Sequence, residues 1–295
     1  MASTMLEPQP ASATGRRLTG EDISIMQTSA PDIKARHRQI WASGDYPSVA
    51  EDVIPTLGAE LVHATGITTG DHVLDVAAGS GNASFPAARR GARVIGSDLT
   101  PELLESGRRR SEDLGVDVEW READCEELPF DDGAFDAVIS CVGVMFAPSH
   151  QRSADELVRV CRRGGRIGLA NWTPAGFVGQ MFAAMKPYSP PPLPGSEPPP
   201  LWGDEQHVRA LLGTRVEDVD VSRRQVRVDR FADAASFLDY FKENYGPTIA
   251  VYRSLATDAG RVRGLDAALL DLARRHDRGG GAMDWEYLLL TARRR

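Results

Sequence analysis

The sequence predicts an α/β protein with a mostly parallel sheet covered by helices on both faces. Three observations carry that prediction. Between about residues 72 and 172, short apolar runs rich in β-branched residues alternate with helical stretches. Each run is bounded by Gly, Asp or Pro. At 295 residues the chain is long enough for one large domain with a cap. Such alternation reads as βαβ units, whose crossover helices bury the sheet on both sides.

Residues 1–19 are rich in Pro, Ser, Ala and Thr and read as a disordered tail. Residues 20–69 read as a helical cap. It includes an amphipathic helix over Val49–Thr65, with Val53, Leu57 and Leu61 on one face and Pro55 best placed near the first turn. The core, 70–175, has strands at His72–Val76, Ala92–Asp98, Val116–Glu122, Phe135–Cys141 and Arg166–Trp172. Helices near Ala83–Arg90, Pro101–Leu114 and Arg152–Cys161 separate them. In 176–295 the alternation breaks. A helix over Gly176–Lys186 leads into the Pro-rich stretch Pro187–Pro200 and a short helix at Asp204–Leu212. A strand pair or one long strand covers about Arg215–Val228, followed by helical stretches at Asp233–Tyr245 and Thr248–His276. The apolar run Trp285–Ala292 is expected as an edge strand.

Composition excludes several function classes. A net charge of −8 disfavours nucleic acid, because binding phosphates needs clustered cations. No apolar stretch is long enough to span a bilayer, and the first residues lack the apolar core of a signal peptide. Cys125, Cys141 and Cys161 are too few and too irregularly spaced for a disulfide framework or a zinc site. The expectation is a cytoplasmic protein without metal, membrane or nucleic-acid partner, acting on a small molecule; a homodimer is compatible with it.

Val73–Asn82 is a buried strand running into a Gly-rich turn and then a helix. Glycines at 79 and 81 let the backbone turn sharply and let a ligand approach main-chain N–H groups; the plain alternative is a tight turn without a ligand. A dinucleotide fingerprint would carry a third glycine at 84, where this chain has Ser. Asp75 at the strand end would repel a pyrophosphate and suits a cationic group. Asp98, ending the next strand, can accept two ribose hydroxyls, or simply cap the helix that starts at Pro101. Asp124 and Cys125 follow the third strand and could read an adenine edge. Glu126 and Glu127 beside them read as an acidic surface.

VLDVAAGSGN at 73–82, GSDLT at 96–100, ADCEELPFDDGAFDAVIS at 123–140 and ELVRVCRRGGRIGLANW at 156–172 together resemble class I S-adenosylmethionine-dependent methyltransferases. The likeness is to the branch of ubiquinone, menaquinone and small-molecule methyltransferases, and it spans roughly residues 40–175. It implies a Rossmann-like seven-stranded, mostly parallel sheet whose last strand is antiparallel, with a helical cap. It implies S-adenosylmethionine as cofactor, with Asp75, Ala77, Gly79, Ser80 and Gly81 at the methionine end. Asp98 would take the ribose, Leu99, Asp124 and Cys125 the adenine, and Cys141 with Val142 the far wall. Tyr46 would fold over the cofactor. Ala78 stands where the family often carries Gly or Cys.

Methyl transfer from a sulfonium needs alignment more than side-chain chemistry, and positioning can supply about 7–11 kcal/mol. A hydroxyl or carbon acceptor could use a general base; His150 is the best-placed candidate, ahead of His37 and His63. Phe146, Trp172, Tyr188, Trp202 and Tyr245 are candidates to line an apolar acceptor pocket, as are Phe177, Met181, Met185, Phe237, Tyr240 and Phe241, with core packing as the alternative for most of them. A same-fold enzyme of secondary metabolism that uses the cofactor for cyclisation, decarboxylation or hydroxylation is the competing reading.

Overall fold

The computed structural model describes residues 30–192 and 195–295. Strands β1 (His72–Val76), β2 (Arg93–Asp98), β3 (Glu119–Glu122), β4 (Phe135–Cys141), β5 (Cys161–Trp172), β6 (Val216–Val228) and β7 (Met283–Arg294) form one sheet in the order β3-β2-β1-β4-β5-β7-β6. The first five pair in parallel. β7 runs antiparallel to both of its neighbours, β5 and β6. The tail over 1–19 and the start of the N-terminal helical segment lie outside the described residues.

The run Trp285–Ala292 is therefore an inner strand and not an edge. Its consecutive Leu288, Leu289 and Leu290 are all buried, which requires cover on both faces of the strand. The edge falls to β6, a single long strand whose Glu217, Asp220, Arg223, Arg224 and Arg227 suit solvent and discourage pairing with another chain.

Going from β1 to β2 to β3, the chain travels one way across the sheet, and from β4 to β5 it travels the other way. Right-handed crossovers then put α4 (Ser84–Arg89) and α5 (Pro101–Leu114) on one face and α6 (His150–Val160) on the opposite face. The reversal lies between β1 and β4, and it opens a crevice at their carboxyl ends. No helix among the described residues is long and apolar enough to cross a membrane.

Two long helical expectations split. Val49–Thr65 becomes α2 (Tyr46–Asp52) and α3 (Leu57–Ala64), with Val53–Thr56 between them. Pro55 has no N–H and disfavours a helical residue before it, so the helix cannot run through. The apolar face survives the break: Val53, Leu57 and Leu61 are each at most 1% exposed. Thr248–His276 becomes α10 (Gly246–Ser254) and α11 (Ala259–His276), divided where Asp258 caps α11 by accepting from the Arg261 N–H at 2.9 Å.

The cap is built from both ends of the chain. α1 (Ala30–Trp41) packs on α10, while α7 (Phe177–Met185) and α9 (Ala234–Asn244) pack on α11. Beneath the cap, α3 presses Gly58 against the glycine loop, where a β-carbon would come within 1.9 Å of the Asn82 carbonyl oxygen.

Helix propensity alone would favour Gly58→Ala by about 1 kcal/mol. The obstacle is backbone, which cannot swing aside, so the variant should instead lose about 1–3 kcal/mol of stability. An unchanged or raised melting temperature would contradict the packing described.

Candidate active site

The crevice is bounded by the loops after β1, β2, β3 and β4. A cleft of about 710 Å³ there is lined by Ala77, Asp98, Leu99, Thr100, Leu103, Asp124, Cys125, Val142 and Gly143, and by Lys34, His37, Trp41 and Tyr46 from the N-terminal segment. Two of its walls are strained. Ala77 and Val142 hold φ at 53° and 46°, a conformation costing non-glycine residues on the order of 1–3 kcal/mol and found disproportionately at functional sites.

Asp98 is 8% exposed and joins two of the loops. One carboxylate oxygen accepts from the Gly79 N–H at 2.9 Å and the other from the Thr100 N–H at 2.8 Å. Burial raises its carboxyl, and these N–H groups oppose the rise. A carboxylate oxygen can accept more than one hydrogen bond, so Asp98 retains capacity toward the cleft.

Gly79 and Gly81 take φ of 57° and 102°, as the turn requires. Tyr46 lies against Gly79, where a β-carbon would sit 3.3 Å from its ring. The phenol, pushed upward by burial, stays protonated at neutral pH and keeps its O–H as a donor.

Asp75, expected at the methionine end of the cofactor, is not among the residues lining the cleft. It is buried under the loop, where one oxygen accepts from the Ser84 hydroxyl at 2.7 Å and the other has no partner among the described residues. Burial raises its carboxyl to about 7. Ser84, the residue in place of a third glycine, is thus the partner that makes a buried acid tolerable. Ser80 and Cys141 are also buried away from the cleft, and Cys141 lies beside Asn82.

Asp124 faces the cleft, but its carboxylate is already engaged. One oxygen pairs with Lys34, and the other accepts from the Glu126 N–H at 2.9 Å. Lys34 also pairs with Glu126 at 3.1 Å, and Arg38 with Glu122 at 2.5 Å, so α1 is latched over the loop after β3. Glu126 is therefore not surface: it is 7% exposed and accepts from the Ser149 N–H. Glu127 is exposed, as expected. Burial pushes the Cys125 thiol up to about 12, so the cleft holds a neutral thiol there.

Behind the cleft lies a second, narrow chamber, lined by Tyr46, Val49, Ile54, Val142, Phe146, Trp172, Val178, Met181, Phe241, Tyr245 and Trp285. Tyr46, Val142 and Phe146 border both cavities. Trp41 braces this partition, touching Tyr46, Phe146 and Tyr245 edge-on with ring centroids 5.3, 4.7 and 5.8 Å away. Trp285 keeps a buried indole N–H without a partner among the described residues.

Of the candidates for an acceptor pocket, Phe146, Trp172 and Tyr245 line this second cavity, and Tyr188 and Trp202 do not. Tyr188 packs beside Gly264 on α11, and Trp202 is fully buried against the His150 ring. His150 is fully buried too and borders neither cavity. Its imidazole touches His207, and burial lowers it to about 4, a weak base with no route to an acceptor. His37 does line the cleft, its basicity also lowered chiefly by burial. His63, beside Arg90, lines neither cavity. Lys34, Trp41 and Leu103 escape sequence reading because no local motif marks them.

The profile of a family described as a methyltransferase domain matches residues 74–169. An uncharacterized protein of Mycobacterium tuberculosis is 51% identical over 259 residues, covering 88% of this chain and 94% of that protein. The demethylmenaquinone methyltransferase of Clavibacter sepedonicus is 36% identical over 152 residues, 48% of this chain and 61% of that enzyme. Among solved structures, the YcgJ protein of Bacillus subtilis superposes with a TM-score of 0.56 at 17% identity, over 81% of this chain and 98% of that one. At that identity the likeness concerns the fold.

The raised Asp75 carboxyl makes a pH prediction. Between the unfolded value of 3.8 and the folded value of about 7, the native state holds a proton that the unfolded chain releases. Stability should therefore fall as pH rises through that window. Asp75→Asn should flatten the slope in denaturant melts; a slope identical to the parent's would show that Asp75 is not the titrating group.

Proposed function

The chain belongs to the class I S-adenosylmethionine-dependent methyltransferases, and from that premise we propose that it methylates an apolar or aromatic small molecule at carbon or oxygen, without a catalytic metal. The observation that carries this reading is the shared partition. One wall, Tyr46, Val142 and Phe146, separates a cleft suited to an adenosyl cation from an apolar chamber suited to an acceptor.

The cleft fits that cofactor. Its lysine is already neutralised by Asp124 and Glu126, so Asp98 leaves it anionic and poorly suited to a pyrophosphate. In this reading Asp98 accepts from the ribose hydroxyls, Leu99, Leu103 and Val142 sandwich the adenine, and the glycine loop under Tyr46 takes the methionine end. Bound there, S-adenosylmethionine supplies a methyl group already activated on a sulfonium. What remains for the protein is alignment and exclusion of water, and Trp41, Tyr46 and Phe146 serve both.

Among the described residues the chamber holds no carboxylate, imidazole or amine, and burial keeps the Tyr46 and Tyr245 phenols protonated. An acceptor there must present a nucleophile that needs little help, such as an enolic carbon or an acidic phenol. The unpartnered Trp285 N–H offers a hydrogen bond to a carbonyl or hydroxyl on that acceptor. The lack of a base equally suits a reaction in which the cofactor stays intact beside a rearranging substrate, as in a cyclisation.

The direct experiment incubates the protein with methyl-labelled cofactor and quinone, polyketide and phenolic acceptors. Label in the product supports methyl transfer; a transformed acceptor with all label still on the cofactor would overturn it in favour of the second reading. S-adenosylhomocysteine should raise the melting temperature, and Asp98→Ala should abolish that shift. Met181→Trp, filling the chamber, should abolish turnover while keeping the shift. Full turnover in Met181→Trp would remove the chamber from the account.

A further inference from the structure

The geometry points to a site for one divalent transition-metal ion, formed by His150, Glu197 and His207 outside both cavities. The start of one helix meets two later, neighbouring segments there. α6 begins at His150, the Pro-rich stretch returns across its first turn carrying Glu197, and α8 (Glu205–Leu212) brings His207. His150 Nδ1 lies 3.0 Å from His207 Nε2, and a Glu197 oxygen lies 3.9 Å from each of those nitrogens. A point equidistant from the three atoms is about 2.1 Å from each, the bond length zinc makes to imidazole and carboxylate.

The surroundings orient all three donors. The second Glu197 oxygen accepts from the His150 N–H at 3.0 Å, which turns the first toward the histidine pair. The Glu197 N–H in turn donates to the Pro148 carbonyl at 3.1 Å. Asp204 caps α8 by accepting from the His207 N–H at 2.8 Å, fixing that residue's backbone. The His150 ring is sealed against Trp202, whereas the Glu197 and His207 side chains are 37% and 22% exposed. An ion can therefore reach the site, and water can complete its coordination.

Two imidazoles and one carboxylate suit zinc, cobalt or nickel. Magnesium and calcium prefer all-oxygen sets and should bind poorly. The ion would tie the Pro-rich stretch to the start of α6, next to Ala147 and Pro148 of the cofactor cleft. Its role is to hold that wall and not to take part in methyl transfer.

The test uses tag-free full-length protein, stripped with a chelator and titrated with zinc and cobalt by calorimetry. The expected result is one ion per chain, a raised melting temperature, and visible cobalt bands of a low-symmetry nitrogen–oxygen site. His207→Ala and Glu197→Gln should each weaken binding more than about 100-fold, beyond the loss typical of disturbing residues behind a ligand. Glu197→Gln keeps the size of a partly exposed side chain, so it reads the ligand role even if the alanine variant misfolds. No saturable binding by the parent, variants that bind as tightly, or a preference for magnesium would each overturn the proposal.

Discussion

The site depends on one buried carboxylate placed where the sheet changes direction. Asp98 ends β2 and takes the Gly79 N–H with one oxygen and the Thr100 N–H with the other. It thereby sets the spacing between the glycine loop and the loop after β2. The crevice itself comes from topology, because the crossovers on either side of the β1–β4 pair leave in opposite directions. Strained backbone at Ala77 and Val142 completes the rim from β1 and β4. A buried acid is costly unless hydrogen-bonded, and the same contacts that satisfy Asp98 also shape the ligand site.

What could be read in the sequence was whatever is encoded locally. The parallel strands show as short β-branched runs, and the glycine loop and Asp98 stand at strand ends that the pattern locates. The failures share a cause: they depend on what a residue meets across the fold. Nothing near Trp285 says that β6 will cover β7, though three consecutive leucines already hint at burial on both faces. Asp75 looks like a ligand contact until Ser84 is seen to face it from α4. Asp124 and Glu126 look free until Lys34 arrives from α1, 90 residues away for Asp124. Pro55 is the local exception: it is legible in the sequence, and by lacking an N–H and disfavouring helix at Ile54 it splits the segment.

The cap explains why the apolar chamber is harder to read in the sequence than the cleft. Its walls come from α2, the end of β5, α7, α9 and β7, each contributing one or two residues with no shared spacing. Aromatic content alone cannot sort pocket from core: Trp172 and Tyr245 border the chamber, and Trp202, equally apolar, is packing. The partition around Trp41 is the place where both ends of the chain meet the central sheet. It joins the wall of the cleft to the wall of the apolar chamber.

The central claim is that the cofactor's reacting end faces the apolar chamber across Tyr46, Val142 and Phe146. A crystal structure with S-adenosylhomocysteine tests it most directly. The account predicts the ribose on Asp98, the adenine against Leu99, and the sulfur beside the Tyr46–Phe146 partition and open toward Met181 and Trp285. A cofactor bound elsewhere, or one whose sulfur is sealed from that chamber, would contradict it.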